Sequence, residues 1–496
     1  MFSENACPNP YIHLHSGLSM VVGEMSEHVD VAVVGSGPAG YVAAIRAGQL
    51  GKIVTLIERD PNGLGGLCLH HGCIPSKALI HTANVFWDCT HSKEQGINVS
   101  LATLNMEKTQ EFKQGVIDKL TTGIDALLKK AGVDVVYGKA SFVNSGELHI
   151  EQEHDTMGLT ADKIILATGG MENTLNTLPF DEQTILSSTG ILDLQAVPSS
   201  LAIVGSGYIA MEMAHTFQKF GSKVTIIHRS PSILSNMDAK IGETMQRQLE
   251  NFGVTFWKNT EILSGEKTGK GIVLHLQTKE GVNEKVSFEK ALVVIGRAPN
   301  TVGLHLKNTK VQMDEKGFVM VNEKCQTHDS KILAIGDMTN GPALAHRAMY
   351  MGKIAAEVCA GLPSAYDATV VPGVIYSDPE IAWVGLQEPD AIKQGRQFIS
   401  GTFPFSASGR SLGANRPQGF VKVLADPTSH LILGGTLLGA HCSDMIAEIS
   451  LAIEMGAKLE DVAGTIHPHP TYNEAILEAC EDALGKCVHL PMKKGK

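Results

Sequence analysis

Apolar positions along the chain fall into two periods. VDVAVVG, Val29 to Gly35, is an almost unbroken apolar run, as a parallel strand buried on both faces requires. A short glycine-rich stretch separates it from an apolar helical segment, Tyr41 to Leu50, and a second strand-like run, Ile53 to Ile57. The same order returns later: SLAIVG ending at Gly205, a helical stretch to about Phe220, then Lys223 to Ile227. Lys163 to Ala167, Lys290 to Ile295 and Lys331 to Asp337 are further apolar runs of strand length, and 106–131 has the spacing of a long amphipathic helix. From about residue 367 the character changes. Val370 to Tyr376, Phe398 to Phe405, Phe420 to Ala425 and Leu431 to Leu438 predict short strands, followed by a helix from Ser443 to Met455.

Composition narrows the class. The 496 residues suffice for about three domains, and 43% hydrophobic residues with 51 glycines fit an α/β globular chain with many tight turns. A net charge of −11 argues against nucleic acid as a partner. No apolar run reaches the roughly 18 residues of a membrane span, so no membrane association is expected. The nine cysteines are scattered, unlike a secreted disulfide framework, and predict a reducing, cytoplasmic setting. Several histidines occur near the C-terminus, but no Cys/His spacing supports a metal site. Residues 1–28 contain Pro8 and Pro10 but no Lys or Arg. They read as a flexible tail, or as a translated upstream stretch before a start at Met25, without the features of a signal or transit peptide.

Each repeated strand–helix–strand unit carries a phosphate-binding fingerprint. In GSGPAG, Gly35 makes the tight turn, Gly37 lets backbone approach a pyrophosphate, and Gly40 lets the helix pack on the strand. The pyrophosphate sits at the helix N-terminus, and Glu58, 21 residues after Gly37, can accept from ribose hydroxyls. In the second copy, GSGYIA, Gly205, Gly207 and Ala210 take these places, and His228 stands at the same 21-residue offset from Gly207. The fold class is therefore α/β, with two Rossmann-like dinucleotide-binding domains and a C-terminal α+β domain.

Between the fingerprints lies GGLCLHHGCIPSK, residues 65–77. Pro75 suits the first turn of a helix, which places Cys73 at or just before a helix N-terminus, where the dipole stabilises a thiolate. Cys68 is close enough along the chain to bond to Cys73. A disulfide closing so small a loop adds little stability and is suited to redox turnover.

This stretch resembles the redox-active segment of the flavin-dependent pyridine nucleotide-disulfide oxidoreductases. The CIPSKAL portion, Cys73 to Leu79, looks most like the dihydrolipoamide dehydrogenase branch, and the resemblance runs from about residue 29 to about 485. The chain departs from the pattern at Leu67, where the family usually has Thr, and at His70-His71, where it usually has Asn-Val. The resemblance implies an FAD-binding domain from 29–172 and 297–366, an NAD(P)-binding domain at 173–296 inserted within it, and an interface domain at 367–496 built around DPEIAWVG, Asp378 to Gly385. Thr168 and Gly169 close the flavin domain, Asp337 receives the ribityl chain, and the helix entered near Ala345 points at the flavin ring. Gly296 follows the last strand of the inserted domain. Lys77, held by Glu212, lies at the reactive edge of the flavin. Two dinucleotide sites flanking a cysteine pair imply a relay from nicotinamide through flavin to disulfide, because flavin accepts a hydride and exchanges electrons with thiolates.

Near the C-terminus HPHPTYNE places His469 five residues before Glu474, so that the carboxylate can orient the imidazole as a base near neutral pH. A dithiol must become a thiolate before it attacks a disulfide. The resemblance implies that this pair reaches the cysteines of a second subunit, making the enzyme a homodimer. His467 reads as a supporting residue. The expected substrate is a dihydrolipoyl group, free or on a lipoyl-carrying protein. A disulfide reductase of the glutathione-reductase type is the alternative, and a non-catalytic flavin-bearing subunit is the reading from another class.

For the nicotinamide, NAD-using members usually carry an acid where His228 stands; here His228 and Arg229 follow the strand. Ala210 and Ala214 also resemble the NADPH-using reductases, although Ser235 stands about where those carry a second arginine. The cofactors expected are FAD and either NAD or NADP, with NADP favoured because a guanidinium binds phosphate well.

Overall fold

A computed structural model of the chain describes residues 26–235 and 237–491. The tail expected at 1–28 lies outside the described residues except for 26–28, which open the first strand, β1 (Ser26–Val34). β1 pairs parallel with β2 (Val54–Glu58), and β2 with β3 (Val133–Tyr137). The chain then turns through an antiparallel meander of β4 (Lys139–Asn144), β5 (Glu147–Glu151) and β6 (Thr156–Leu166), and β6 returns parallel against the free edge of β1. Ile332–Ala334 adds to the far edge of β6, completing a seven-stranded sheet. β2 is buried along its whole length, which is why its sequence shows no apolar–polar alternation.

A second sheet is wholly parallel, in the order 255–257, 223–227, 200–204, 290–293 and 185–186. One face is covered by an antiparallel meander of 260–268, 271–278 and 283–288, whose buried Ile262, Ile272, Leu274 and Leu276 pack on Ala202, Val204, Ile227 and Val293. The chain crosses between the two sheets twice, and the crossings pair with each other: Gly170–Glu172 runs antiparallel to Arg297–Pro299. The C-terminal sheet is antiparallel, in the order 373–375, 380–385, 432–439, 420–425 and 399–404, within a residue or so of three of the four expected runs and shorter than the first. Cys442–Glu454 and Glu474–Ala483 cover it with an apolar cluster.

The helices that matter for the site are α1 (Pro38–Gln49), α2 (Gly66–His71), α3 (Cys73–His91), α4 (Met106–Lys130) and α5 (Tyr208–Phe220). α2 was not anticipated; the paired glycines Gly65 and Gly66 are weak helix formers and hide it. α4 begins where the amphipathic pattern predicts, with Asn105 capping the Lys108 N–H.

α5 is buried almost all round, because it lies between its own sheet, α3 and the C-terminal sheet. One core cluster accordingly draws on every part of the molecule: Leu79 and Ala83 of α3, Met211, Ala214 and Phe217 of α5, and Ile375, Ile381 and Phe420 of the C-terminal strands. A buried ion network runs through the same contact. Lys219, 3% exposed, donates to Asn84 Oδ1 at 2.7 Å and to Asp378, which also accepts from Arg416, and Arg416 reaches Asp88 at 2.6 Å. Burial lowers the Lys219 pKa, and Asp378 opposes that shift. Such charges are tolerated inside because each has a partner.

Candidate active site

The turn after β1 is built from atoms that leave no room for side chains. Gly35 has φ 100°, and a Cβ there would lie 2.5 Å from the Ala167 carbonyl oxygen; a Cβ on Gly40 would lie 1.8 Å from the Gly35 oxygen. Gly37 differs: its Cβ would meet nothing within 4 Å, so the surface above it is open. Glu58 is buried and braces the turn, accepting from the Ser36 N–H at 3.0 Å and the Ser36 hydroxyl at 2.6 Å. Gly65 donates in turn to Ser36 Oγ at 3.2 Å, so the fingerprint turn and the cysteine segment hold each other. Gly66 presses against Gly37 so closely that a Cβ there would come 2.5 Å from the Gly37 Cα.

Cys68 lies in α2 and Cys73 is the first residue of α3; Gly72 joins the helices, and the two cysteines form a disulfide with Cα atoms 4.8 Å apart. Cys73 thus occupies the helix N-terminus that the Pro75 position predicts. The other described cysteines are free. Burial pushes the Cys325, Cys359 and Cys480 thiols up to about 12, so they stay protonated where the pair reacts.

The pair opens onto a cavity of about 710 Å³. Of the residues proposed from sequence, Gly35, Gly37, Glu58, Cys68, Cys73, Lys77, Thr168, Gly169, Glu212, Asp337 and Ala345 line it. Gly40 stands behind the wall as a packing position. Lys77 Nζ donates to Glu212 Oε1 at 3.1 Å and Oε2 at 3.0 Å, and lies 4.6 Å from the centre of the Tyr376 ring. The nearly buried Glu212 also accepts from the Tyr376 N–H at 3.0 Å, so the pair links α3, α5 and the C-terminal part. Thr168 donates to the Asn300 carbonyl at 2.6 Å, and the helix Ala345–Cys359 starts at Ala345. Burial raises the Asp337 pKa, with Arg297 and Arg347 opposing.

The donor set fits FAD. An open backbone surface over Gly37 at a helix N-terminus suits a pyrophosphate. A carboxylate at the end of β2 suits a ribose, and Asp337 suits a polyol chain.

Sequence reading missed Arg297 and Tyr208, which also line the cavity. Arg297 donates to the Gly170 carbonyl at 2.6 Å and pairs with Glu172, pinning the crossing between the sheets. It follows Gly296 in the stretch GRAPN, but a single arginine there carries no distinctive spacing.

Gly205, Gly207, Ala210, His228, Arg229 and Gly296 do not line this cavity; Gly205, Gly207, His228, Arg229 and Gly296 follow strands of the second sheet, and Ala210 lies in α5. Gly205 has φ 136°, Gly207 is open, and Ala210 is buried in the first turn of α5. Gly296 accepts from the Asn173 N–H at 3.0 Å. His228 is buried, with Nδ1 bonded to Ser230 Oγ at 3.0 Å and Nε2 without a partner. Burial lowers its pKa, and nearby Lys258 adds to that. His228 is therefore a neutral group at neutral pH, and positive charge at this end comes from exposed Arg229 and from Lys258.

His469 and Glu474 stand apart from the cysteines of their own chain. His469 Nδ1 donates to Glu474 Oε1 at 2.7 Å, which assigns the proton to Nδ1 and leaves Nε2 free as a base on a side chain 80% exposed. Burial would raise the Glu474 pKa, but the Thr471 N–H and His469 outweigh it and hold it low. His467 is half-buried, its side chain nearly covered, and Nε2 lies 2.9 Å from Glu448 Oε1. Among the described residues no group of three or more His, Cys, Asp or Glu could hold a metal ion. Among the described residues no helix is long and apolar enough to cross a membrane.

Residues 29–352 match the family model described as pyridine nucleotide-disulphide oxidoreductase, and 371–480 match the dimerisation domain of the same family. The chain is 41% identical to a dihydrolipoyl dehydrogenase of Geobacillus stearothermophilus over 474 residues, covering 96% of this chain and 100% of that one. It is 40% identical to the dihydrolipoyl dehydrogenase of Bacillus subtilis, covering 95% and 100%. Among solved structures, LpdA from Mycobacterium tuberculosis superposes with a TM-score of 0.84 at 25% identity, covering 91% of this chain and 99% of that one. The flavoprotein disulfide reductase RclA from Escherichia coli superposes with a TM-score of 0.82 at 25% identity, covering 91% and 99%. With both fingerprints, the disulfide and the dimerisation domain in one chain, the protein belongs to the pyridine nucleotide-disulphide oxidoreductase family.

Proposed function

We propose that the chain is a dihydrolipoyl dehydrogenase, oxidising a dihydrolipoyl dithiol with FAD and a nicotinamide as electron carriers. One observation carries this reading: the Cys68–Cys73 disulfide lies at a helix N-terminus in the same cavity as the first fingerprint turn. The near full-length likeness to enzymes named dihydrolipoyl dehydrogenase supports the choice of substrate. The matched dimerisation domain supports a homodimer, and the free cysteines support a cytoplasmic setting.

The substrate thiol gives its proton to Nε2 of His469 from the partner subunit, and the thiolate attacks Cys68 Sγ. The Cys68–Cys73 bond breaks, and Cys73 leaves as a thiolate stabilised at the N-terminus of α3. The second substrate thiol then attacks the sulfur bonded to Cys68, closing the cyclic disulfide and freeing Cys68 as a thiol. Bound FAD would take the electron pair from the dithiol and pass it to the nicotinamide. Gly35, Gly37, Glu58, Thr168, Gly169, Asp337 and Ala345 would hold the FAD, and Lys77 would stand beside its ring, held in place by its hydrogen bonds to Glu212. Gly205, Gly207, Ala210, His228, Arg229 and Gly296 would hold the nicotinamide cofactor. Assaying the purified protein with dihydrolipoamide and with glutathione side by side tests the substrate. Turnover of glutathione alone would replace this reading with a glutathione-reductase-type one.

We infer further that NADP(H) is accepted in preference to NAD(H). The support is the lack of a carboxylate at the end of strand 223–227, where neutral His228 and the cations Arg229 and Lys258 stand instead. Arg229→Ala is expected to weaken apparent NADPH binding by roughly 1–3 kcal/mol, the scale of a charged hydrogen bond, and to leave NADH nearly unchanged. Comparing kcat/KM for both cofactors in wild type and variant decides it. Strong wild-type preference for NADH, or equal losses for both cofactors, would remove the inference.

A further inference from the structure

His71 is the last residue of α2, two positions before Cys73, and its side chain lines the FAD cavity. The mechanism above gives it no task. Most polar side chains around it are already engaged: Ser36 with Glu58, Ser76 with the Cys73 carbonyl, Lys77 with Glu212, Thr168 with Asn300. Its neighbour His70 is engaged too, Nε2 lying 2.9 Å from the Leu64 carbonyl. His71 is different. Its Nδ1 is buried and has no hydrogen-bond partner.

That orphan assigns the ring's proton. A buried N–H without an acceptor is among the rarest features of folded proteins, whereas an unused lone pair costs less. Nδ1 is therefore the bare nitrogen, and the proton resides on Nε2. Nε2 is not among the buried unpaired atoms and bonds to no protein group, so it is the nitrogen left accessible.

The helix gives the direction. Gly66, at the start of α2, touches Gly37 of the pyrophosphate turn, and Cys73 follows its end. Leu67 and His71 are four apart, so they share one face, and both line the cavity. At 1.5 Å per residue His71 lies about 7.5 Å along the axis from Gly66, past the pyrophosphate and toward the disulfide. That span of the cavity is occupied, in the FAD placement proposed above, by the ribityl chain and the redox ring, both rich in oxygen acceptors.

We propose that His71 donates a hydrogen bond from Nε2–H to the flavin portion of FAD and thereby positions it against Cys73. His71 is a positioning residue in this account: it anchors the cofactor and moves no proton. The inference rests on FAD occupying this cavity. Wild-type protein without affinity for FAD would remove that placement, whereas the variants below test His71 alone.

The test is the dissociation constant of FAD from the full-length protein, followed by fluorescence after release and reconstitution, with the visible spectrum of the holoenzyme as second readout. His71→Phe keeps a ring but no donor, and is expected to weaken FAD roughly tenfold and to shift the flavin absorption. His71→Gln keeps an N–H donor and is expected to stay within about threefold of wild type, with an unshifted spectrum. If the phenyl ring prevents folding, His71→Val replaces it with the same expectation. Wild-type affinity in the donorless variant overturns the proposal. Equal weakening in the donorless and Gln variants also overturns it, because that pattern reports packing and not donation.

Discussion

Cys68→Ser is expected to abolish turnover with a dithiol while leaving Cys73 able to form the long-wavelength absorption of a thiolate lying against flavin. The two sulfurs are chemically unequal because of where the helices end. Cys73 is the first residue of α3, so its thiolate is stabilised by the helix dipole and makes the better leaving group. Cys68 lies within α2, away from that terminus, and in the proposed reaction it takes the incoming thiolate. The converse variant, Cys73→Ser, is expected to lose the band itself. Absorption spectra of the two reduced variants, taken beside dihydrolipoamide assays, read both roles. Near-normal turnover in Cys68→Ser, or a surviving band in Cys73→Ser, would reverse the assignment. The thiols of Cys325, Cys359 and Cys480 do not obscure the result, since burial keeps them protonated.

His469→Gln is expected to lower dithiol turnover by about 10² or more, the usual loss when a general base is removed. Glu474 fixes the ring through Nδ1, so Nε2 alone is offered to substrate, and glutamine has no equivalent basic nitrogen. Reduction of the flavin by NADPH or NADH needs no thiol deprotonation and is expected to change little. Stopped-flow measurement of each half-reaction separates the two. Equal losses in both would mean that His469 only supports the fold around Tyr472 and the helix Glu474–Ala483.

The parts of this protein that were legible in the sequence are those where sterics or spacing leave few choices. Gly35 and Gly40 face carbonyl oxygens that exclude any side chain, so the first fingerprint is written as glycine. The cysteine pair and the His469–Glu474 pair announce themselves because reactive groups need short, fixed separations. What could not be read has equally physical reasons. The meander of 260–288 carries charged residues on its outer face, and its strands buried only alternate positions, as in Gly271–Thr278. Lys219 looks like a surface lysine of α5, yet Asn84 and Asp378 arrive from distant parts of the chain to bury it. Arg297 acts through a backbone carbonyl, and no sequence pattern records which carbonyl will be near. His71 showed only as a departure from a motif; its meaning comes from which ring nitrogen is covered.

The exposure of His469, away from the cysteines of its own chain, has a consequence for inheritance. If a base from one subunit serves the sulfurs of the other, lesions in Cys68 and in His469 fall into separate complementation groups, though both lie in one gene. Each altered chain alone is then expected to lose most or all of its dithiol oxidation. Expressed together they form mixed pairs in which the intact imidazole of one chain meets the intact cysteines of the other, while the opposite site carries both lesions. With random pairing about half of the pairs are mixed, so roughly a quarter of the normal number of sites is restored. Two alleles that each look like a complete loss would then sustain growth side by side.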